Sequence, residues 1–253
     1  QINNPALLAE LTGISVVADF RSRDVAAGGQ GAPLVPAFHR AAFGGSRAHR
    51  VIVNIGGVAN LTDLPSCGRV TGFDTGPGNM LMDAWIGLHR GQTHDHDGTW
   101  ADQGGVLPAL LESLLGHDYF RRPFPKSTGR ETFSLAWVQS LLSGNENPAD
   151  VQATLLALTA DSVAEAVRRH CGGAEEVYLC GGGAHNRALV RRLGQKLPRH
   201  RVMLTDELGI GADWVEALAF AWLARQTLCG EPGNLPEVTG ATGPRVLGAI
   251  YPK

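Results

Sequence analysis

The sequence predicts an α/β fold, in which strands and helices alternate along the chain and helices cover a largely buried sheet. Three observations support this prediction. Short runs of apolar, often β-branched residues are typical of buried strands, and longer segments carry apolar residues at helical spacing. Glycine clusters, drawn from 33 glycines in 253 residues, directly follow several of the strand-like runs. The backbone is therefore expected to turn sharply where strands end.

The first part of the chain contains two predicted helices and four predicted strands. Residues 7–11 end a helix closed by Gly13, and residues 14–18 form a short strand. Residues 19–36 are too rich in glycine to be regular and too charged at their start to be buried unpaired. A β-hairpin with a Gly-Gly turn is then predicted from strands at residues 51–55 and 58–64. A fourth strand follows at residues 70–73, and a helix capped by Asn79 covers residues 80–88.

The rest of the chain alternates helices and strands more regularly. Its clearest helix covers residues 151–170, where apolar residues recur at helical spacing and Gly172-Gly173 follows as a stop. Between residues 91 and 132 the chain is mostly irregular. Further helices and strands are predicted at residues 107–115, 177–180, 186–197, 201–204 and 214–228.

Composition excludes several classes of function. With 43% hydrophobic and 18% charged residues, the chain can bury a substantial core. A formal net charge of −2 leaves no basic excess to neutralise a phosphate backbone, so nucleic-acid binding is not expected. A small molecule is the more natural partner.

Cysteine usage and apolar patterning predict a reduced, cytoplasmic protein. The four cysteines are widely spaced and form no CxxC pair or zinc-finger pattern, which fits free thiols. No apolar run reaches 18 residues, and residues 1–5 lack the layout of a signal peptide. We expect neither a structural zinc ion nor a membrane partner.

Three glycine clusters follow strands, at residues 56–57, 76–78 and 181–183. Backbone amides at strand ends and helix N-termini can surround an anion, so a nucleotide is a candidate ligand, although ordinary turns explain any single cluster equally well. None of the clusters has P-loop or GxGxxG spacing, so neither a P-loop nor a dinucleotide site is supported.

Asp74 is the sharpest single feature. A carboxylate at a strand end, followed by Gly-Pro-Gly, is suited to act as a base beside a phosphate held by backbone amides. The alternative is that Asp74 hydrogen-bonds the amides of its own turn.

Seven blocks of sequence, in order, resemble the signature of the anhydro-N-acetylmuramic acid kinase family. They lie at residues 19–21, 28–36, 54–60, 72–79, 82–85, 126–131 and 180–183. The resemblance implies a two-domain kinase with the actin/hexokinase (ribonuclease H-like) fold, in which ATP and sugar meet between the domains. The family begins with a Gly-Thr-Ser-type phosphate loop that has no counterpart here, so an incomplete N-terminal subdomain is expected. Residues 1–45 would be its remnant, and residues 46–253 an ATPase-like domain.

The reaction implied by the resemblance couples hydrolysis to phosphorylation. Water opens the 1,6-anhydro ring of anhydro-N-acetylmuramic acid, and O6 takes the γ-phosphoryl group of ATP, giving N-acetylmuramic acid 6-phosphate in cell-wall recycling. ATP and Mg²⁺ are the implied cofactors, and a homodimer is expected. Asp74 matches the general base that deprotonates the water.

The resemblance also implies binding residues. The hairpin at residues 54–60 resembles a phosphate-binding loop. The turn at residues 181–183, called the glycine turn below, resembles an adenosine-binding turn. The implied ATP contacts are Asn54, Gly56, Gly57, Asn60, Gly76, Gly78, Asn79, Gly181, Gly182, Gly183 and Asn186. The implied substrate contacts are Arg21, Arg23, Gln30 and Glu216, where an arginine pairs with the lactyl carboxylate. Solvated surface side chains are the alternative for the arginines and Glu216.

Two further hypotheses compete with an active kinase. One is a noncatalytic sugar- or nucleotide-binding fragment of such a kinase. The other is a glycosidase that uses Asp74 and Asp83, although nine residues of separation do not establish the necessary carboxylate spacing. The His94 to Asp97 run is not expected to bind a metal, because neighbouring residues of an extended segment face opposite ways and the part that resembles the family is Asp97-Gly98, not the histidines. Lys126 and Arg130 could bind phosphate or cap a loop.

Overall fold

A five-stranded sheet organises the chain in the computed structural model, which describes residues 4–45 and 47–253. Residues 1–3, which enter the signal-peptide prediction, and Ser46, at the predicted domain boundary, lie outside the described residues. The strands are β1 (Val16–Ala18), β2 (Arg50–Ile55), β3 (Val58–Leu64), β4 (Thr71–Pro77), β5 (Glu176–Cys180), β6 (Arg201–Leu204) and β7 (Ala249–Tyr251).

Helices surround the sheet. The α-helices are α1 (Pro5–Thr12), α2 (Ser22–Ala26), α3 (Val35–Phe43), α4 (Met80–Arg90), α5 (Pro108–Leu115), α6 (Leu135–Ser140), α7 (Pro148–His170), α8 (Arg187–Lys196), α9 (Val215–Cys229) and α10 (Pro236–Thr239). Short 3-10 helices lie at His96–Gly98, Ala101–Gln103, Asp118–Arg121, Gly182–His185 and Thr205–Leu208.

The strand order of the main sheet is β4-β3-β2-β5-β6. β3 runs antiparallel to both β2 and β4, whereas β5 runs parallel to β2 and to β6. The strands β2, β4, β5 and β6 therefore point the same way, and their carboxyl ends meet at one edge. This arrangement confirms the predicted α/β class. A separate two-stranded antiparallel sheet joins β1 to β7.

The helix α7 packs across the main sheet and forms the centre of the core. Leu155, Leu158 and Val163 are 0–1% exposed, so both the sheet and neighbouring helices surround this helix. It begins at Pro148, three residues before the predicted start. Proline is favoured in the first turn, and the Asn147 side chain accepts a hydrogen bond from the amide of Ala149 at 2.9 Å.

Residues 19–36 were predicted to be irregular, and this prediction was wrong in part. They contain the short helix α2 and the first turn of α3. Asp24, in α2, is 0% exposed, and both oxygens of its carboxylate accept hydrogen bonds from residues outside the helix. These bonds hold α2 against the rest of the chain. Local sequence shows only the glycines and charges of this segment, not its distant partners.

The predicted cap of α4 by Asn79 was also wrong. Asn79 has helical dihedrals (φ −79°, ψ −20°) and no side-chain capping bond. Its side-chain amide donates instead to the carbonyl oxygen of Ile55 at 3.3 Å. Carbonyl groups of the hairpin turn supply the capping acceptors, since Gly57 O accepts from Met80 N at 3.2 Å and from Gly78 N at 2.8 Å.

Asp24 joins the first segment of the chain to the last. One carboxylate oxygen accepts from Asn234 Nδ2 at 2.7 Å and from Thr239 Oγ1 at 2.8 Å, and the other accepts from Gly31 N at 2.9 Å. The pairing of β1 with β7 makes a second link between the same two segments. The division into domains at residue 45 stays a prediction.

Replacing Asp24 by alanine should lower the free energy of unfolding by about 3 kcal/mol, because three buried donors lose their acceptor at once. Chemical denaturation measures this change. Asp118→Ala is the control, since the Asp118 side chain is 85% exposed and should alter stability by less than about 0.5 kcal/mol. Equal effects of the two variants would contradict the structural role given to Asp24.

The four cysteines are all free, with Cys171 and Cys180 buried and Cys67 and Cys229 exposed. None of the helices within residues 4–45 and 47–253 is long and apolar enough to cross a bilayer. Large apolar side chains are exposed on α1, notably Leu7, Leu8 and Leu11.

Candidate functional site

A row of side chains crosses the sheet near the carboxyl ends of its strands. Asp74 on β4 pairs with Asn60 on β3, Asn60 pairs with Asn54 on β2, and Asn54 pairs with Cys180 on β5. Residues directly opposite one another in a sheet share a face, so the three polar side chains are neighbours. The site therefore joins the hairpin, the Asp74 segment and the glycine turn, which are far apart in sequence.

The strand β4 carries a bulge at the site. The register shifts between Ala59 and Asn60, so that Thr75 is an extra residue between the pairs Ala59–Gly76 and Asn60–Asp74. The Thr75 hydroxyl donates to Ala59 O at 3.1 Å and fastens the bulge. Bulges re-aim neighbouring side chains and occur often beside active sites. The bulge also explains why β4 extends to Pro77, four residues beyond the predicted end at residue 73.

Asp74 is buried, with 5% exposure, and its carboxylate is held from another part of the chain. Oδ2 accepts a hydrogen bond from the amide of Thr128 at 2.9 Å. The backbone carbonyl of Asp74 accepts from the Tyr119 hydroxyl at 2.6 Å, and its amide donates to Lys126 O at 3.3 Å. The bond to Thr128 contradicts the alternative in which Asp74 caps its own turn. The structure thus fixes both the backbone and the carboxylate.

Burial raises the pKa of Asp74 to about 6. The hydrogen bond from Thr128 and the charges of Arg21 and Lys126 oppose this effect and lower the pKa. The result is a carboxyl group with a much higher proton affinity than usual that is still mainly ionised at pH 7. Such a group is suited to accept a proton from a reacting molecule.

Two polar atoms beside Asp74 are buried without a hydrogen-bond partner among the described residues. They are Asn60 Oδ1, on the residue paired with Asp74, and Thr128 Oγ1, on the residue whose amide binds its carboxylate. A buried polar atom without a partner is costly, and a bound ligand is one explanation for such an atom in a native structure. Both atoms are therefore candidate contacts for a polar substrate.

The predicted substrate residues divide into two groups. Gln30 reaches the segment next to Thr128, since its Nε2 donates to Pro125 O at 2.9 Å and its Oε1 accepts from Ser127 Oγ at 2.8 Å. Arg21 donates to the carbonyl oxygen of Gly31 and influences the pKa of Asp74. Both therefore lie on the Asp74 side of the molecule.

Arg23 borders another part of the surface, and Glu216 lies near the end of β5. Arg23 borders a separate cleft of ≈ 330 Å³ together with Gly28, Thr242 and Arg245. Glu216 is exposed on α9, where its charge adds to the effect of burial in raising the pKa of Cys180, a residue at the end of β5. The roles predicted for these two residues stay predictions.

The hairpin turn is fastened to the start of α4. Gly56 O accepts from Asn79 N at 2.8 Å, and Gly57 O accepts from Gly78 N at 2.8 Å. Gly78 must be glycine because a Cβ would lie 2.3 Å from Gly56 O. In this structure the amides of Gly78 and Asn79 therefore bind the hairpin. The phosphate contacts predicted for the hairpin and for residues 76, 78 and 79 stay predictions.

The glycine turn lies against the end of β2. Gly181 has φ +78°, and a Cβ there would lie 2.3 Å from Asn54 Oδ1. A Cβ on Gly183 would lie 2.3 Å from Ile55 Cγ2. Asn186 caps α8, because its Oδ1 accepts from Leu189 N at 3.0 Å. The turn thus needs Gly181 and Gly183 for close packing, whether or not a ligand is bound.

A cleft of ≈ 520 Å³ opens beside this turn, a size typical of small-molecule sites. Three predicted ATP contacts, Asn79, Gly182 and Asn186, border it. Its remaining walls are Met82, Asp83, Thr93, His94, Asp95, His96, Asp97 and His185. Since Asp83 lines this cleft and Asp74 does not, the two carboxylates do not face a common cleft as the glycosidase hypothesis requires.

The His94 to Asp97 run contributes a structural carboxylate. Asp95 is buried and accepts from the amides of Trp100 and Ala101, each at 2.9 Å. Within the described ranges, no three His, Cys, Asp or Glu side chains converge as a metal site would require. These residues do not by themselves fit Mg²⁺.

Sequence reasoning missed the partners of Asp74. Thr128 and Tyr119 lie 54 and 45 residues further along the chain, and nothing in their local sequence signals the contact. Lys126 was noted only as a candidate phosphate ligand or loop cap. Its proximity to Asp74 appears only in the folded chain.

The family model and the relatives define the class of protein as a sugar kinase, a phosphotransferase, and the sheet has the α/β architecture that the sequence predicted. The chain belongs to the anhydro-N-acetylmuramic acid kinase family, whose model matches residues 1–253. The anhydro-N-acetylmuramic acid kinase of Nitrosomonas europaea is 62% identical over 252 residues, covering 100% of this chain and 69% of the relative.

Other relatives and structures extend the comparison. The anhydro-N-acetylmuramic acid kinase of Nitrosospira multiformis is 60% identical over 252 residues, covering 100% of this chain and 69% of that protein. Among solved structures, component A of the (R)-2-hydroxyglutaryl-CoA dehydratase of Acidaminococcus fermentans matches with a TM-score of 0.48 and 17% identity. That match covers 73% of this chain and 64% of the other.

Proposed function

We propose that this protein is an ATP-dependent kinase that hydrolyses the 1,6-anhydro ring of anhydro-N-acetylmuramic acid and phosphorylates O6. The products are N-acetylmuramic acid 6-phosphate and ADP, and the role is the recycling of cell-wall sugars. The observation that carries the proposal is the buried carboxylate of Asp74, with its raised pKa and two unpartnered polar atoms beside it. Family membership supports the choice of substrate.

Asp74 is the proposed general base. It removes a proton from water while the water oxygen forms a bond to C1 and the bond from C1 to O6 breaks. O6 then takes the γ-phosphoryl group of ATP, and the proton remains on the carboxyl group until it is released to solvent. The anhydro sugar has no free O6 hydroxyl to deprotonate, so water is the proton donor. Burial supports this role because it increases the proton affinity of the carboxylate.

The sugar is proposed to lie over Asp74, between Asn60 and the segment that carries Thr128. The unpartnered oxygens of Asn60 and Thr128 can bind sugar hydroxyl or amide groups. Arg21 is the better candidate for the lactyl carboxylate, since its charge affects Asp74 whereas Arg23 borders another cleft. Gln30 completes this side by holding residues 125 and 127.

The nucleotide is proposed to occupy the cleft beside the glycine turn, with adenosine against Gly182 and Asn186. Asn54 separates this turn from Asn60 and Asp74, so the phosphates would extend along the polar row toward the base. Asn54, Gly56, Gly57 and Gly76 remain proposed phosphate contacts. Mg²⁺ would shield the phosphate charge, and we assign it no residue.

A coupled assay for ADP release tests the proposal in the complete protein that carries this sequence. ADP should appear only when anhydro-N-acetylmuramic acid is present, with one N-acetylmuramic acid 6-phosphate formed per ADP. Calorimetry with a nonhydrolysable ATP analogue separates the alternatives. Binding of the analogue without any turnover would favour a noncatalytic nucleotide-binding role, and the absence of both would overturn the kinase proposal.

Turnover should depend on pH through Asp74. With a pKa of about 6 in the free protein, the carboxylate becomes protonated and inactive as the pH falls, so kcat/KM should decline below pH 6 and approach a tenfold loss per unit below about pH 5. The profile should change little from pH 7 to 7.5. Initial rates at subsaturating sugar between pH 4.5 and 7.5 measure this dependence. A profile that is flat down to pH 4.5 would argue against Asp74 as the base.

The cytoplasmic location and the homodimer are also retained as proposals. Light scattering of the purified complete protein gives its mass in solution, and a mass equal to that of one chain would contradict the dimer.

A further inference from the structure

A further cavity, lined by basic side chains, lies between β4 and α7 and is bordered by Phe73 and Thr75, the two neighbours of Asp74 in sequence. Its volume is ≈ 310 Å³, at the small end of the range for ligand sites. The cationic side chains at its wall are Arg121, Lys126, Arg168, Arg169 and Lys196, with His170 beside them. Among the residues that the structure describes, two carboxylates line the same cavity, those of Asp161 and Glu165. The wall is therefore strongly positive.

Lys126 is the buried charge in this wall. The residue is 8% exposed, and its ammonium group donates to Tyr119 O at 3.2 Å. In the part of the chain that the structure describes, it forms no ion pair. It lies 4.6 Å from the centre of the Tyr119 ring and 5.4 Å from that of Phe73. A buried ammonium without a carboxylate partner is costly, so an anion at this place would be stabilised.

The two carboxylates of the wall are already occupied. Asp161 pairs with Lys196 at 2.9 Å and with Arg192 at 3.1 Å. Glu165 pairs with Arg168 at 2.6 Å and with Arg169 at 3.5 Å. Neither reaches Lys126, so the positive field at the buried end of the cavity is not neutralised from within the wall.

The pKa shifts of two groups also indicate an excess of positive charge in this cavity. Burial, followed by the charges of Lys126 and Arg169, lowers the pKa of His170. Burial, followed by Arg122 and Arg169, lowers the pKa of Lys126, while Asp74 raises it. Like charges therefore crowd this cavity.

We propose that this cavity binds the phosphate group of a small anion, through Lys126 at its buried end and Arg169 at its mouth. Arginine and lysine together are the usual ligands for phosphate, and the volume accommodates free phosphate or a phosphorylated monosaccharide. The site is distinct from the nucleotide cleft, with which it shares no lining residue. The proposal does not rest on the kinase reaction.

Calorimetry on the complete protein tests the site with two probes, inorganic phosphate and glucose 6-phosphate. A saturating nonhydrolysable ATP analogue is present, so that phosphate cannot be reported from the nucleotide cleft. Arg169→Gln removes an exposed cation without disturbing the core and should weaken binding on the order of tenfold. Arg225→Gln replaces another exposed arginine, on α9, and should leave binding unchanged.

The two probes distinguish the sources of phosphate. Equal affinities indicate free phosphate, and tighter binding of glucose 6-phosphate indicates a sugar phosphate; either result supports the site. Lys126→Gln, checked for folding by circular dichroism, should abolish binding of both. No saturable binding of either probe, or binding that Arg169→Gln leaves unchanged, would overturn the proposal.

Discussion

Replacement of Asp74 by asparagine should remove nearly all turnover and, at pH 7, make the folded chain harder to unfold. The loss of the base should lower kcat by about 10²–10⁴, the usual contribution of general base catalysis. Asparagine keeps the size of the side chain and an oxygen that can accept from Thr128 N, so the geometry of the site is retained. Substrate binding should change much less than kcat.

The gain in stability follows from the raised pKa. The ordinary pKa of an aspartate is 3.8, and that of Asp74 in the folded chain is about 6, so above pH 6 the ionised carboxylate disfavours folding. A neutral amide avoids this cost, and the free energy of unfolding should rise by about 1–3 kcal/mol. The parent chain should recover the same free energy as the pH falls from about 6 to about 4, because the folded state then binds an extra proton.

Urea denaturation at pH 7 and pH 4.5, together with the ADP assay, measures both effects. The difference in stability between Asp74→Asn and the parent should be large at pH 7 and small at pH 4.5. Asp118→Asn, at an 85% exposed carboxylate, should alter neither quantity. A variant that keeps a tenth or more of the turnover, or that is less stable than the parent at pH 7, would refute the role assigned to the buried carboxylate.

Gly181→Ala should be the most damaging single-methyl change in the glycine turn. At φ +78° an alanine is strained, and its Cβ would lie 2.3 Å from Asn54 Oδ1 and 2.9 Å from Ile55 O. We expect a loss of about 3 kcal/mol or more in the free energy of unfolding, since the backbone of β2 must move. Binding of the ATP analogue should weaken at least about tenfold for the same reason.

Two other glycines provide matched controls. Gly194 lies in α8 with nothing within 4 Å of its Cβ position, so Gly194→Ala should be neutral or stabilise by up to about 1 kcal/mol. A Cβ on Gly182 would meet only Asn79 Nδ2 at 3.7 Å, so Gly182→Ala should fold normally while weakening nucleotide binding. If Gly181→Ala resembles Gly194→Ala in stability and affinity, the turn is not packed as described.

Much of the fold could be predicted because its signals are local. Strand β6 begins and ends at the predicted residues, and the hairpin was recognised from two apolar runs around Gly56-Gly57. Both ends of the helix α8 lie within one residue of the predicted ends, 186 and 197. Its start was recognisable because Asn186 follows the glycine turn. These elements depend on residues that are neighbours in sequence.

The remainder depended on contacts between distant segments. Asn79 has the residue type and position of a helix cap, but hairpin carbonyls already bind the amides at the start of α4, so its side chain takes another partner. The strand β4 extends past residue 73 because its pairing with β3 resumes after the bulge. The carboxylate of Asp74 was identified from sequence, whereas its raised pKa arises from burial that only the folded chain provides.

The contact of Asp24 with Thr239 has a consequence for how the protein is made. The two residues are 215 positions apart, so at about 5–20 residues per second the ribosome needs about 10–40 s to deliver the second after the first. During that interval β1 also lacks β7. The segment that carries β1 and Asp24 therefore lacks these native partners for that interval and would be a natural client for chaperones that act on emerging chains.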